Sequence, residues 1–148
     1  MLWRQVSWAD FLRRAHGAIL DAWGFGPREC SRRAIASGSY WHLRDYGGAG
    51  TTASLLVVAA PIKPPYIWDL DQPVSSIRYC LDHGLRVHLL EWLPASAATA
   101  HRAITDCVAA IAECADTVSN TAVGGRPFLI GRSLGGTLGA IAPAKDRH

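Results

Sequence analysis

The sequence predicts an α/β fold in which helices flank a mostly parallel sheet. Short apolar runs that suit buried strands alternate along the chain with longer segments whose apolar residues recur at helical spacing. The run S-L-L-V-V-A-A at 54–60 is apolar throughout, which is typical of a strand covered on both faces. Another apolar run, at 127–130, leads through a glycine-rich turn into a further helical segment. This alternation of strand and helix predicts right-handed crossovers and parallel pairing.

Length and composition fit one globular domain. The chain has 148 residues, of which 49% are hydrophobic and 18% charged, and this is enough to bury a core. Its net charge of +3 comes without a basic run interleaved with aromatic residues, so we expect no nucleic acid partner. The longest apolar stretch, 55–62, is too short to cross a bilayer, and we expect no transmembrane segment.

Cysteine usage and the N-terminus both indicate a cytoplasmic protein. The four cysteines are far apart and form no C-x-x-C pair, which favours buried thiols in a reducing compartment over a disulfide framework. Asp10, Arg13 and Arg14 interrupt the first apolar pattern, so the N-terminus does not resemble a signal peptide.

Residues 1–39 are predicted to form an N-terminal helix and a loop. Ser7, with an acidic residue three positions later, is typical of a helix start. Apolar residues then recur at helical spacing as far as Trp23, and Gly24 ends the pattern. The segment 24–39 has no clear period and is predicted to be a loop.

The main domain is predicted over residues 40–142. An aromatic-rich strand at 40–46 and a glycine turn lead to the apolar strand described above, and prolines stiffen the following loop at 61–65. The next helix is expected to run from Pro73, which suits a first helical turn, to Gly84, which suits a stop. Its buried stripe is predicted to be Val74, Ile77, Cys80 and Leu81.

The second half of this domain continues the alternation. A strand is predicted at 85–92 and a helix at 101–115. The apolar run at 127–130 is the next strand, and the helix after it is predicted at 134–141. Proline then ends the helical pattern, which leaves an irregular tail at 143–148.

The turn between the last strand and the last helix carries the pattern G-x-S-x-G, at Gly131, Ser133 and Gly135. This is the pattern of a nucleophile elbow, in which a strand enters a turn so sharp that only small residues fit around the serine. The N–H groups at the start of the following helix then face the serine. Ser133 is therefore the candidate catalytic nucleophile.

Several stretches of the main domain resemble the same protein family. They are V-V-A-A-P-I-K-P-P-Y-I-W-D-L at 57–70, Ser76-Ile77-Arg78 with Gly84, the strand ending Leu90-Glu91-Trp92, and G-R-S-L-G-G-T at 131–137. Together they resemble the poly(3-hydroxyalkanoate) synthases, which are acyltransferases of the α/β-hydrolase fold, and the resemblance covers about residues 40–141. It implies an incomplete α/β-hydrolase fold that ends just after the nucleophile elbow. It also implies a substrate that is an acyl thioester or ester of a 3-hydroxy acid, such as a hydroxyacyl-CoA. The sequence has no phosphate-loop or dinucleotide-binding pattern, so we expect no cofactor.

The resemblance further implies which residues take part in the reaction. Ser133 would attack the acyl carbonyl, and the N–H of Leu134, the next residue, would hold the oxyanion. A second N–H would come from the loop after the strand at 54–60. By resemblance this donor is Ile62, and Lys63 is the alternative, because the sequence does not separate the two.

The chain departs from the synthases at two points. They carry a cysteine where this chain has Ser133, which favours the serine-bearing relatives of the family over polymerisation. They also place their catalytic Asp and His after the nucleophile, where this chain has only Asp146 and His148. A continuing helix, at about 1.5 Å per residue, would carry Asp146 roughly 20 Å away. Neither residue is therefore expected to complete a triad.

The remaining histidines and cysteines are predicted to have no catalytic or metal-binding role. His83, His88 and His101 fall at a helix end, within a strand and at a helix start, where ordinary surface or core histidines occur. Cys107 and Cys114 lie one heptad apart on a helix, with no further ligand at metal-binding spacing. We expect no metal site.

Two functions follow from these observations. The first is a truncated serine hydrolase or acyltransferase, inactive by itself because the acid and base are missing. The second is a catalytically inactive fragment that acts as a binding or regulatory domain. Truncation would leave the strand at 127–130 at the edge of the sheet, where unpaired N–H and C=O groups template association, so we expect self-association.

Overall fold

A five-stranded sheet with helices on both faces is the centre of the computed structural model, which describes residues 8–49, 53–94, 101–121 and 125–145. The chain is a mixed α/β protein, as the sequence predicts. The helices are α1 Trp8–Leu20, α2 Ser76–Asp82, α3 Ile104–Thr121 and α4 Leu134–Lys145, with a π-helical turn at Asp21–Phe25 and a 3₁₀ turn at Pro65–Trp68. The strands are β1 Arg33–Ser37, β2 Trp41–Asp45, β3 Ser54–Val58, β4 Asp69–Asp71, β5 Val74–Ser75, β6 Arg86–Trp92 and β7 Phe128–Gly131.

The main sheet has the strand order β1-β2-β6-β3-β7, and it is mixed rather than mostly parallel. β6, β3 and β7 pair in parallel, whereas β1 and β2 form a hairpin that joins β6 antiparallel. The prediction of a mostly parallel sheet is wrong on this point. The connection between β1 and β2, residues 38–40, is too short for the crossover that parallel pairing requires.

The predicted loop at 24–39 contains a strand, β1. This strand pairs with β2, and its register shifts between Ala34 and Ala36. Its side chains are exposed or half-buried, so it lacks the apolar alternation that marks a strand in a sequence. Pairing with a neighbour therefore decides its conformation. Ser7, the predicted helix start, lies outside the described residues.

Helix α2 begins three residues after its predicted start, at Ser76. Ser75 caps it by accepting a hydrogen bond from the Arg78 N–H at 2.9 Å. Val74, predicted in the buried stripe, is exposed and pairs instead in the small sheet formed by β4 and β5. Gly84 follows the helix with a φ of 78°, as expected for a stop.

Helices α3 and α4 both run past their predicted ends. α3 extends to Thr121. α4 continues through Pro143 to Lys145, so the predicted irregular tail is helical as far as that residue. Proline removes a helical hydrogen bond. Leu138 and Ala142 are buried in the core, and this packing of α4 offsets the loss.

Apolar layers cover both faces of the sheet. On one face α3 and α4 pack so that Ile111 and Leu138 meet strand residues such as Leu56 and Leu90. On the other face α2 packs through Ile77, which is fully buried. Because β6, β3 and β7 run in parallel, their carboxyl ends lie at one edge of the sheet, where α4 begins.

Helix α1 has the predicted amphipathic sequence but no buried side chain. Its aromatic residues Trp8 and Phe11 are exposed and contact each other edge to face. The spacing of the apolar residues thus predicts the helix, but it does not predict whether another element covers the apolar face of that helix. No helix in the described part of the chain is long and apolar enough to cross a bilayer.

Strand β7 lies at one end of the strand order and pairs with β3 alone in the described ranges. Phe128 is 70% exposed, and Ile130 is also exposed. A mostly apolar groove of about 590 Å³ runs beside the strand, between α3 and α4. Its lining includes Ile111, Ala115, Leu129 and Gly139. This edge of the sheet therefore presents both backbone groups and apolar surface.

The amino ends of the parallel strands carry a buried charged cluster. The Asp45 carboxylate accepts hydrogen bonds at 2.9 Å from the Arg86 guanidinium and from the Gly47 N–H. His88 is fully buried, with its Nε2 atom 3.7 Å from Asp45. Burial lowers the pKa of the His88 imidazole; the Asp45 carboxylate opposes this shift, and Arg86 adds to it. Burial alone would raise the pKa of Asp45, but its two donors hold that pKa below the usual value.

We expect the free energy of unfolding to decrease as the pH falls below about 6.5, because His88 takes up a proton on unfolding that the folded state disfavours. For one proton the slope approaches about 1.4 kcal/mol per pH unit. His88→Leu should remove this dependence. Urea denaturation between about pH 7.5 and pH 5 measures it, with His16→Leu on the exposed α1 as the control. An unchanged pH dependence in His88→Leu would contradict the prediction.

Candidate active site

Ser133 lies in the turn between β7 and α4, and its backbone φ is 56°. Among the described residues it is the only one other than glycine with a positive φ. Such a conformation costs about 1–3 kcal/mol and persists only where the surroundings enforce it. Two backbone hydrogen bonds hold the turn: the Gly135 N–H donates to Arg132 at 3.2 Å, and the Thr137 N–H donates to Ser133 at 3.1 Å.

The two glycines of the motif are required because a side chain at either position would collide with neighbouring backbone atoms. A Cβ atom at Gly131 would lie 2.6 Å from the backbone nitrogen of Gly136. A Cβ atom at Gly135 would collide with the carbonyl oxygen of Val58 and would lie 2.9 Å from the carbonyl carbon of Ala59. The first turn of α4 therefore packs directly against the backbone of both β7 and the end of β3.

The loop that follows β3 carries the two candidates for a second oxyanion donor. The Lys63 N–H donates to the Ala60 carbonyl at 3.0 Å and closes a turn. Because this bond engages Lys63, Ile62 is left as the candidate donor of the two. Its side chain is 76% exposed. Leu134, the other candidate donor, is the first residue of α4, where N–H groups have no acceptor within the helix.

No base contacts the Ser133 hydroxyl within the described ranges: no hydrogen bond there joins it to a histidine or a carboxylate. His88 is buried in β6, and His83 caps the end of α2. Asp146 and His148 lie outside the described residues.

The environment of the four cysteines disfavours them as nucleophiles. Burial raises the pKa of the thiols of Cys30, Cys80, Cys107 and Cys114. A thiol that stays protonated is a weak nucleophile. In the part of the chain that the structure describes, no group of three or more His, Cys, Asp or Glu residues could hold a metal ion.

One contact at this edge of the sheet has no signal in the sequence. Trp92 is the last residue of β6, and its indole N–H donates to the Ala59 carbonyl at 2.6 Å. The two residues are 33 positions apart. No local pattern predicts a bond over that separation.

The fold and the turn together define a mixed α/β protein with a conformationally strained serine between a parallel strand and a helix. Two known proteins are similar to part of this sequence. The chain is 32% identical over 99 residues to the poly(3-hydroxyalkanoate) polymerase subunit PhaC of Haloferax mediterranei, which covers 64% of this chain and 20% of that protein. It is 31% identical over 95 residues to the subunit of the same name from Haloarcula marismortui, with the same coverage of 64% and 20%.

These similarities are distant and partial, since the chain spans about a fifth of the length of the curated relatives it matches. They support a relationship to the poly(3-hydroxyalkanoate) synthases. No protein-family profile matches the chain.

Substituting Gly135 should be far more damaging than substituting Gly139 in the same helix. An alanine at Gly135 collides with the backbone of β3, which we expect to cost about 1–3 kcal/mol or more. An alanine at Gly139 makes an ordinary contact, 3.6 Å from the Val58 side chain, and gains up to about 1 kcal/mol of helix propensity.

Urea denaturation of Gly135→Ala and Gly139→Ala, followed by circular dichroism, measures the difference. Equal stabilities of the two variants would contradict the close approach of α4 to β3.

Proposed function

We propose that this chain carries the nucleophile-bearing part of a serine-dependent acyltransfer enzyme of the α/β-hydrolase fold, related to the poly(3-hydroxyalkanoate) polymerases. The observation that carries the proposal is the left-handed conformation of Ser133, in a turn where Gly131 and Gly135 have no room for a side chain. A sharp turn of this kind presents a serine at the carboxyl edge of a sheet. The partial similarity to the two PhaC subunits supports the choice of chemistry.

The proposed substrate is an acyl thioester or ester of a 3-hydroxy acid, such as a hydroxyacyl-CoA. The Ser133 oxygen attacks the acyl carbonyl, a base accepts the hydroxyl proton, and the carbonyl oxygen becomes an oxyanion. Collapse of this intermediate breaks the bond to sulfur or oxygen, and the leaving group takes the proton. The acyl group on Ser133 then passes to water or to the hydroxyl group of a second molecule.

The oxyanion is held by the N–H groups of Leu134 and Ile62. Leu134 supplies a helix N-terminal N–H that has no intrahelical acceptor, and the positive end of the helix dipole favours negative charge there. The assignment of Ile62 rests on the hydrogen bond that engages the neighbouring Lys63 N–H. Removing one oxyanion donor typically lowers kcat by about two to three orders of magnitude.

We expect slow ester hydrolysis by this chain alone, because no base contacts Ser133 in its described part. Oxyanion donors without a triad leave a hydrolysis rate about 10³- to 10⁴-fold above the uncatalysed rate in water. Hydrolysis of a short-chain nitrophenyl ester by the wild type and by Ser133→Ala measures this rate. Turnover at the level of a complete triad that vanishes in Ser133→Ala would overturn the expectation and make Asp146 and His148 catalytic candidates again.

In a longer form of the protein that supplies a base, a fluorophosphonate probe tests the nucleophile independently of turnover. Peptide mapping by mass spectrometry should locate the label on Ser133 and find none in Ser133→Ala. Labelling of another residue while Ser133 stays unmodified would refute the assignment.

The exposed edge at β7 favours a second candidate function, a binding domain that associates through this edge. The outer side of β7 pairs with no strand in the described ranges. This open edge and the apolar groove beside it suit the addition of a strand from another chain. A second copy of this chain is the partner that we propose, by pairing of the two β7 edges.

We expect the purified chain to self-associate in size-exclusion chromatography with light scattering. Phe128→Lys, which places a charge on the exposed edge strand, should shift the protein towards the monomer. Val74→Lys is the matched control, because Val74 is a similarly exposed apolar residue in the separate small sheet. A stable wild-type monomer at high concentration would rule out this association.

A further inference from the structure

The hydrogen bond from Trp92 to Ala59 extends the attachment of β3 beyond its backbone pairing. The parallel register between β3 and β6 ends at Val58 and Leu90. Ala59 is the next residue of the chain, and its carbonyl receives the indole N–H of Trp92 at 2.6 Å. Both residues are buried, so water does not compete for the bond. A side chain of β6 therefore binds the backbone of the residue that follows β3.

The same peptide group contacts the first turn of α4. A Cβ atom built on Gly135 would lie 2.9 Å from the carbonyl carbon of Ala59 and 3.0 Å from its oxygen. One residue further on, the Ala60 carbonyl accepts the hydrogen bond from Lys63 that closes the loop turn. Ala59 thus lies between the helix that follows Ser133 and the loop that carries Ile62.

The orientation of the Trp92 ring is itself fixed. The ring stacks on Tyr40, with centroids 6.3 Å apart and planes 5° from parallel. The Arg102 guanidinium lies 5.3 Å from the Trp92 ring and 5.2 Å from the Tyr40 ring. The Tyr40 hydroxyl donates to the Asp106 carbonyl at 3.0 Å, which ties the stack to α3. The indole N–H is therefore preorganised towards Ala59 rather than free to rotate to another acceptor.

We propose that Trp92 is a positioning residue that sets the second oxyanion donor. By holding the Ala59 carbonyl, it fixes the start of the loop at 60–63 and hence the direction of the Ile62 N–H relative to Ser133. Trp92 touches no reacting atom and acts only through the loop. This inference rests on the proposed function for its catalytic consequence, but the loop geometry can be measured without any reaction.

The test is Trp92→Phe, which keeps an aromatic ring for the stack on Tyr40 and removes the N–H donor. The control is Trp68→Phe, because Trp68 follows the same loop and its indole nitrogen has no hydrogen-bond partner in the described part of the chain. Amide exchange by NMR should be roughly five- to tenfold faster at Lys63 in Trp92→Phe, as expected for the loss of one hydrogen bond. Exchange in β6 should not change, and Trp68→Phe should leave Lys63 exchange at the wild-type rate.

The indole N–H resonances of the wild type give a second, spectroscopic readout. The Trp92 N–H should exchange with water more slowly than the Trp68 N–H, which lacks an acceptor in the described ranges. Equal exchange of the two indoles, unchanged exchange at Lys63 in Trp92→Phe, or a uniform increase throughout the protein would each overturn the proposal.

Kinetics then separate this inference from the proposed function. Trp92→Phe should lower kcat of the slow ester hydrolysis several-fold without changing KM, because the oxyanion forms only after substrate binds. An unchanged kcat together with faster Lys63 exchange would overturn the catalytic part of the inference. Absence of fluorophosphonate labelling at Ser133 in a longer form of the protein that supplies a base would refute the proposed function, and the exchange data would still decide whether Trp92 fixes the loop.

Discussion

The close approach of α4 to the end of β3 is the constraint on which the rest of this edge of the sheet depends. It exists because Gly135 has no side chain, so that the backbone of the helix meets the carbonyl groups of Val58 and Ala59. The same approach forces a sharp exit from β7 and leaves Ser133 in a left-handed conformation. Strain of about 1–3 kcal/mol in one residue is tolerated since the buried side chains of α4 hold the helix in place.

The two ends of the parallel strands have different physical roles. The amino ends bury a carboxylate that is satisfied by an arginine and a backbone N–H, next to the fully buried His88. This cluster lies at the end of the sheet opposite the Ser133 turn. At the carboxyl ends, the first turn of α4 packs against the backbone of Val58 and Ala59, where the loop after β3 begins.

The edge of the sheet at β7 is open among the described residues. The chain spans about a fifth of the length of the PhaC subunits that it matches, and β7 has one neighbouring strand among the described residues. A sheet edge with exposed Phe128 and an adjacent apolar groove is a surface that natural proteins usually cover. The proposed chemistry and the proposed association both arise from this strand, since it leads directly to Ser133.

The sequence by itself determined the α/β class, the positions of β2, β3, β6 and β7, and the turn around Ser133. These features have local causes, namely apolar runs, glycines at fixed spacing and helix start and stop signals. Tertiary structure alone decided three others: the β1–β2 hairpin that makes the sheet mixed, the continuation of α4 through Pro143, and the bond from Trp92 to Ala59. It also engages the Lys63 N–H in a hydrogen bond to Ala60 within the folded loop. In each case the deciding contact forms only once the backbone has folded. No residue pattern along the chain directly encodes the path of the folded backbone.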